Sequence, residues 1–533
     1  MNYEAPPPAR LNFSTERQKV SLFTEQAQEK SAVPNIPLSN PMSGTSGAGQ
    51  ILKGGIVYTL VSLLQRSLSF LLLPFYARVL SPAEFGQIAI ITTVTALTST
   101  ALSFGIESAV FRQFFALKHD ETTRRTFLST VGTFALVVPT LITLVLAAMS
   151  VIFVSSGSTL DRFALGIGFL AAGSMVFGSV IVLPLLRVER RLGPFVAFSS
   201  LSIFSTVILT MIFVVGFKWV PSGWFLAQLV GALIALPYGL KIFKPHWTPR
   251  LDGVVLKEAL RFGTPLVPHQ VAHWSLSIAD RAILSFFVSP ALVGIYSMGY
   301  QITSVMGNVL TSANQTLMPE YASMVGRNNQ SNGLLRRSAT FQLVFSAFLA
   351  VGASLVLPPV MRLILPPEYG AAAELVPWIA LGYFFFGAYY VPMNMLTLVN
   401  GDTKWNWVFT VLAGAIASGL NFFLIPVWGI KAAAIITACG YAFLFTLLSV
   451  YGHLKHGNVW PIDGRVARTR LLPLSAITII GLVFRPDSLP VALIVAVVLA
   501  ILSAAVAATT LLPLSAVSVL YLSMGRRLRK PSI

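Results

Sequence analysis

Residues 261–299 read RFGTPLVPHQVAHWSLSIADRAILSFFVSPALVGIYSMG. The stretch predicts an apolar helix, a tight turn at Ser289-Pro290, and the start of a second helix. It is apolar enough to enter lipid, yet it carries His269, His273, Asp280 and Arg281 within the span. At 100° per residue, His269, His273, Leu276 and Asp280 share one narrow stripe. Ionisable groups at membrane depth are costly and usually face a protein interior or a wet cavity. The stretch also has an echo earlier in the chain. Arg261-Phe-Gly263 matches Lys53-Gly-Gly55, and Ser289-Pro-Ala-Leu-Val-Gly294 matches Ser81-Pro-Ala-Glu-Phe-Gly86, both 208 residues apart (261 − 53 and 289 − 81). Two anchors at one offset predict a duplicated bundle whose second copy opens at residue 261.

Composition sets the class. Of 533 residues, 55% are hydrophobic and 11% charged, against about 25% charged in soluble domains. Apolar runs predict fourteen spans: 54–78, 87–111, 126–153, 163–186, 194–217, 222–242, 262–288, 292–318, 338–358, 373–399, 405–426, 429–452, 471–484 and 489–511. The thirteenth is short for a hydrocarbon core of about 30 Å. The fold class is an all-α polytopic membrane protein, and the strand alternation of a β-barrel is missing.

The basic residues orient the chain. With the N-terminus inside, 29 of the 37 Lys and Arg fall in inner segments and six in outer turns, with Arg66 and Arg281 inside spans. This is the positive-inside asymmetry, and it puts both termini in the cytoplasm. It accounts for the net charge of +18 without nucleic acid, and it turns the basic loops toward anionic membrane lipids. The single cysteine, Cys439, excludes a disulfide within the chain and reads as a buried small hydrophobe.

Residues 1–50 are a Pro- and Ser-rich stretch without an apolar core, read as a disordered cytoplasmic tail. An N-lobe of six spans follows at 51–250, a C-lobe of six at 251–455, and two accessory spans with a basic tail at 456–533. Six spans per unit make a parallel repeat, an arrangement in which transporters commonly hold substrate between the halves. The loops are too short for an independent catalytic domain. Neither a P-loop nor an acyl-transfer or glycosidase constellation occurs. The expectation is a transporter and not an enzyme.

Six residues are the candidate substrate contacts. Arg66 sits mid-span in a stripe with Tyr58, Ser62, Gln65, Ser69 and Tyr76. Gln65 and Ser69 correspond to His273 and Ser277 at the repeat offset, so equivalent faces are polar and line a shared cavity. Arg66, Gln65, Arg281, Asp280, His273 and His269 form the candidate site, with Arg66 placed to meet an anion. The alternative for Arg66 is a structural role, paired with Glu107 or a backbone carbonyl, that only holds helices together. Asp280 and Arg281 point about 100° apart and are not a ready-made pair. Asp280 and Glu107 are the candidates for coupling to an H⁺ or Na⁺ gradient. His269 and His273 at i, i+4 lack a third ligand for a metal. Asn308, Asn314, Asn394 and Asn421 read as helix–helix hydrogen bonds.

Four stretches carry a resemblance: LPFYARVLSPAEFGQIAI at 73–90, LSFGIESAVFRQFF at 102–115, SIADRAILSFFVSPALVGIYSMGYQI at 277–302 and NFFLIPVWGIKAAAIITACGY at 421–441. With the pattern Asp280-Arg281-x-x-Leu284 … Gly294-x-Tyr296, they resemble the polysaccharide-transporter family of lipid-linked oligosaccharide flippases. That family shares a superfamily with multidrug/cation antiporters and the lipid II flippase. The resemblance implies two six-helix lobes in a V-shaped, MATE-like arrangement around a central cationic cavity, plus two C-terminal helices. It implies export of undecaprenyl-pyrophosphate-linked repeat units across the bacterial inner membrane for surface or exopolysaccharide. Arg66 and Arg281 would then contact pyrophosphate or acidic sugars, and polymerase or export machinery would be partners. Other readings are a cation-coupled multidrug antiporter, a lipid II flippase, or a scaffold that recruits polymerisation enzymes through its tail. The Pro-rich tail departs from the family pattern.

Overall fold

The computed structural model describes residues 72–117, 120–154, 161–248, 251–322, 332–402, 405–457 and 488–511. All lie in one compact unit that begins at Tyr58. The tail at 1–50, Arg66, Gln65, most of the first expected span and all of the thirteenth lie outside the described residues.

The described chain is helical throughout. In order it runs α1 Leu73–Val79, α2 Pro82–Leu102, α3 Ile106–Ala116, α4 Glu121–Phe153, α5 Arg162–Val188, α6 Leu192–Gly216, α7 Ser222–Phe243, α8 Gly253–Gly263, α9 Val267–Phe287, α10 Pro290–Thr303 and α11 Val305–Ala322. Then come α12 Asn332–Ile364, α13 Ala372–Asn394, α14 Asn406–Trp428, α15 Ile430–His456 and α16 Leu489–Leu511. Among the described residues, nine helical stretches are long and apolar enough to cross a membrane. The protein is therefore a multi-pass membrane protein. α9 is not one of the nine, because its polar stripe lowers its hydropathy. The second span of the C-lobe is divided at Ser304 into α10 and α11.

Local chemistry sets the helix starts. Ser81 and Glu84 form a capping box: Ser81 N–H donates to Glu84 Oε2 at 2.8 Å, and Glu84 N–H donates to Ser81 Oγ at 3.3 Å. Pro82 follows at the first helical position, where its missing N–H costs nothing. The second copy keeps Ser289-Pro290 but has Leu292 where the first has Glu84, so α10 lacks the side-chain cap. Asp161 caps α5 by accepting from the Phe163 and Ala164 N–H groups. Asp252 caps α8 in the same way through Val254 and Val255.

The duplication reaches beyond the two sequence anchors. α4 and α12, the third spans of the two copies, are both 33 residues long. The fourth spans each contain a wider π turn in their second half, Gly178–Val182 within α5 and Met395–Val399 directly after α13. These fourth spans are also the most enclosed, with 67% and 72% of their apolar windows buried, against 22% for α4 and α6. α5 and α13 are therefore the lobe centres, and α4 and α6 turn most of their surface outward to lipid.

Cys439 corrects an expectation: it is exposed, not buried. It lies on the face of α15 that also carries the exposed Lys431, Thr446 and Val450. In a membrane protein an exposed surface is apolar, so a hydrophobic environment does not require burial in protein.

The first and second copies touch along α2. Trp274 Nε1 of α9 donates to the Thr93 carbonyl at 3.2 Å, and Ser103 Oγ lies 3.3 Å from Gln270 Oε1. Tyr369 Oη donates to the Leu80 carbonyl at 3.0 Å. At the other end of α2, Gly105 adopts φ +65°, and a Cβ there would lie 2.2 Å from the Gly263 carbonyl oxygen. Only glycine meets both the left-handed backbone and the close approach.

Candidate binding cavity

Asp280 and Arg281 sit near the α10 end of α9, 3% and 4% exposed. Charges this buried must be paired, and they pair with each other. Arg281 Nη1 lies 3.6 Å from Asp280 Oδ1. Neighbours about 100° apart are not a ready-made pair, but the arginine side chain is long enough to fold back onto its neighbour, and its Nη1 also reaches the Ser277 carbonyl at 3.5 Å. Its guanidinium carbon sits 4.4 Å from the Tyr300 ring centroid and 5.8 Å from that of Tyr296, a cation–π contact on one face. The Asp280 carboxylate accepts from the Arg281 N–H at 2.8 Å and from the Tyr296 hydroxyl, with Thr437 Oγ1 at 3.5 Å. One buried ion pair thus ties α9 to α10 and α15.

The polar stripe of α9 grades from open to closed. His269 and His273 are exposed, Ser277 is half-buried, and Asp280 is enclosed. Ser277 Oγ lies 3.2 Å from Tyr441 Oη. The stripe expected to line one cavity is therefore divided. His273, Ser277 and Arg281 reach a cavity, Asp280 turns away into the contact with Tyr296, and His269 is not among the cavity-lining residues.

That cavity, of about 660 Å³, lies between α2 and α7 on one side and α9, α10, α11, α13 and α15 on the other. The volume is within the range of small-molecule sites, about 300–1,000 Å³. Its second-copy wall is aromatic: Tyr300, Tyr383, Phe386, Tyr390 and Tyr441. Gln301, Ser304, Asn308 and Thr311 supply amide and hydroxyl groups along α10 and α11, and Trp224 and Gln228 come from α7. Among the described lining residues there is no carboxylate.

Most of these residues were missed in the sequence, although a signal existed. Tyr383, Phe386 and Tyr390 recur at helical spacing within GYFFFGAYY at 382–390, a run that reads simply as apolar core. Asn308 also lines the cavity. Asn394 and Asn314 do join helices, with Asn394 Nδ2 donating to Asn314 Oδ1 at 2.7 Å. Glu107 lies away from the cavity on α3, and its pairing partner among the described residues is Arg187, at 3.7 Å. Arg66 and Gln65 fall outside the described residues. No group of three or more His, Cys, Asp or Glu able to hold a metal occurs among the described residues.

The loop after the fourth span carries an acid–base contact in each copy. Glu189 Oε1 lies 2.8 Å from His246 Nε2, joining the loop after α5 to the end of α7. Asp402 Oδ2 accepts from Lys455 Nζ at 2.7 Å and Tyr451 Oη at 2.9 Å, and lies 3.2 Å from His456 Nε2. This joins the loop after α13 to the end of α15. Each lobe therefore has an acid–base clamp at the same place in its repeat.

The family described as polysaccharide biosynthesis protein matches residues 51–325, more than half of the chain. The chain belongs to the polysaccharide biosynthesis protein family. Over 450 residues it is 24% identical to the succinoglycan biosynthesis transport protein ExoT of Rhizobium meliloti (strain 1021), covering 79% of this chain and 78% of that one. Its fold is that of the lipid II flippase MurJ in an inward closed conformation: TM-score 0.65, 14% identity, 86% of this chain and 99% of that one. An inward-facing multidrug resistance MATE family transporter of the MOP superfamily shares the fold at TM-score 0.60 and 14% identity, over 75% of this chain and 98% of that one. These relatives of the family member described here are transporters, not enzymes.

Proposed function

We propose that this protein is a flippase that moves a polyprenyl-pyrophosphate-linked oligosaccharide repeat unit from the cytoplasmic to the outer leaflet of the bacterial inner membrane, with both termini in the cytoplasm. The observation that carries the reading is the cavity between the two copies, walled by aromatic, amide and hydroxyl groups, in a member of a polysaccharide biosynthesis family. The fold shared with MurJ and the relation to ExoT support it. Alternating access of the two lobes would expose the cavity to each side in turn. Coupling to an H⁺ or Na⁺ gradient is part of the proposal, with Asp280 and Glu107 as the titratable candidates. Arg66 and Gln65 remain candidate contacts for the anionic headgroup from the first span. A polymerase or export complex on the far side would consume the product.

The test is a strain lacking this protein and any second flippase. Radiolabelled lipid-linked repeat units should accumulate on the inner leaflet. Their arrival on the outer leaflet at the normal rate would overturn the reading. The second reading, a cation-coupled drug antiporter, draws on the shared MATE fold. The cavity opposes it, because a cationic drug calls for a carboxylate in the wall, and Asp280 is turned into Tyr296 and Arg281. Drug resistance on overexpression, with normal lipid-linked sugar traffic in the deletion strain, would favour it.

A further inference from the structure

We propose that the second-copy wall of the cavity is a saccharide subsite, in which sugar rings lie against Tyr383, Phe386 and Tyr390 while their hydroxyls meet Gln301, Asn308 and Thr311. The inference rests on the flippase reading above and adds which part of the substrate this wall takes.

The geometry supplies two complementary surfaces. Tyr383, Phe386 and Tyr390 stand at i, i+3 and i+7 on α13, so they form one stripe. The stripe is continuous: the Phe386 ring centroid is 5.1 Å from that of Tyr390, 5.2 Å from Tyr441 and 6.1 Å from Tyr383. Gln301, Asn308 and Thr311 make a second, hydrogen-bonding surface on α10 and α11. The two surfaces meet where Thr311 Oγ1 lies 3.2 Å from Tyr390 Oη. A pyranose has the same two-sided character, with C–H groups on its faces and hydroxyls around its edge. Aromatic faces bury the former, and neutral amides and hydroxyls satisfy the latter.

Charge points the same way. A pyrophosphate subsite needs cations free to give charge-assisted hydrogen bonds. Arg281, the arginine of the described lining, is neutralised by Asp280, bonded to the Ser277 carbonyl and stacked on Tyr300. His273 is on α9, not on the aromatic stripe of α13, and is exposed. The aromatic wall is therefore electrically neutral, which suits the sugar and leaves the pyrophosphate to another part of the path.

The experiment uses the full chain in liposomes with two fluorescent probes: a polyprenyl pyrophosphate carrying one hexose, and one carrying a hexose tetrasaccharide. Asn308→Ala, Thr311→Val and Phe386→Leu should each lower tetrasaccharide flipping about tenfold, the loss of roughly one good contact, and lower single-hexose flipping less, because one ring meets fewer of these groups. Asn308 and Thr311 are only half-buried, so these two variants keep the test meaningful if Phe386→Leu lowers membrane abundance. Equal losses on both probes, or no loss on either, would overturn the subsite. In parallel, the free tetrasaccharide is titrated against the purified protein by tryptophan fluorescence, with Trp224 in the cavity wall. Saturable binding, weakened about tenfold by Asn308→Ala, upholds the subsite even if neither lipid probe is flipped, the result that sinks the flippase reading alone. Absence of binding by the wild type overturns the subsite whatever the flipping rates.

Discussion

Gly86 and Gly294, equivalent residues of the two repeats (294 − 86 is the 208-residue offset), pack directly against each other's helix starts. A Cβ on Gly86 would lie 1.8 Å from the Pro290 carbonyl oxygen, and one on Gly294 would lie 1.9 Å from the Pro82 carbonyl oxygen. Pro82 and Pro290 are themselves equivalent. The contact is therefore self-reciprocal, as across a two-fold axis. It holds the starts of α2 and α10 together. Gly86→Ala and Gly294→Ala must push α2 away from α10, since backbone cannot yield as a flexible side chain does. Overpacking of this kind costs about 1–3 kcal/mol. Each variant should flip lipid-linked oligosaccharide at least about tenfold more slowly at normal membrane abundance, because about 1.4 kcal/mol against the state that holds this contact already means a factor of ten. Wild-type rates in both variants would show that transport does not need this contact.

The Asp280–Arg281 pair predicts strong non-additivity. Asp280→Asn or Arg281→Met alone leaves one buried charge uncompensated, a loss of about 3–5 kcal/mol. The double variant removes both charges and should be more stable than either single one. Thermal unfolding of the four proteins in detergent checks this. Additive losses would mean that the two charges do not act as a pair.

The loop clamps predict that this end of the bundle is acid-sensitive. Donation from Lys455, together with Tyr451 and His456, holds the Asp402 carboxyl far below its ordinary range. Burial pushes Glu189 up, but the hydrogen bond and charge of His246, with Arg191, outweigh it and leave Glu189 low. A depressed acid stabilises the fold above its unfolded value, and that contribution is lost as pH falls toward its folded value. Asp402→Asn should therefore lower the thermal midpoint at neutral pH by roughly 1–3 °C, with the difference from wild type shrinking as the pH drops below the ordinary carboxylate range. A difference that grows on acidification would refute the clamp.

Cys439 offers a direct check on the outward face of α15. As the one cysteine of the chain and exposed on that face, it should react in membranes with an apolar, membrane-soluble maleimide. A charged maleimide should react with it only after the membrane is solubilised. Fast labelling of intact membranes by the charged reagent would place this face in water.

Legibility was uneven along α9. The hydropathy of the flanking runs and the polar stripe were both visible in 261–299, and so was the equivalence of Ser81-Pro82 with Ser289-Pro290. The fold-back of Arg281 onto Asp280 was not, because angular spacing describes where Cβ atoms point and ignores the reach of a long side chain. Tyr383, Phe386 and Tyr390 were hidden for a different reason. In a bundle where most residues are apolar, an aromatic stripe facing a cavity has the same composition as one facing a neighbouring helix or lipid.

By itself the sequence determined that the chain is a duplicated helical membrane bundle. Lipid offers the backbone no hydrogen-bond partners, so long apolar runs must be helices, and two anchors at a single offset need no structure to be seen. Tertiary structure alone decided which faces meet. It brought Gly86 onto the helix start that contains Gly294, turned Asp280 inward while His273 stayed open, and set α13 against α11 around one cavity. Those outcomes depend on how helices from distant parts of the chain cross, which hydropathy and local spacing do not encode.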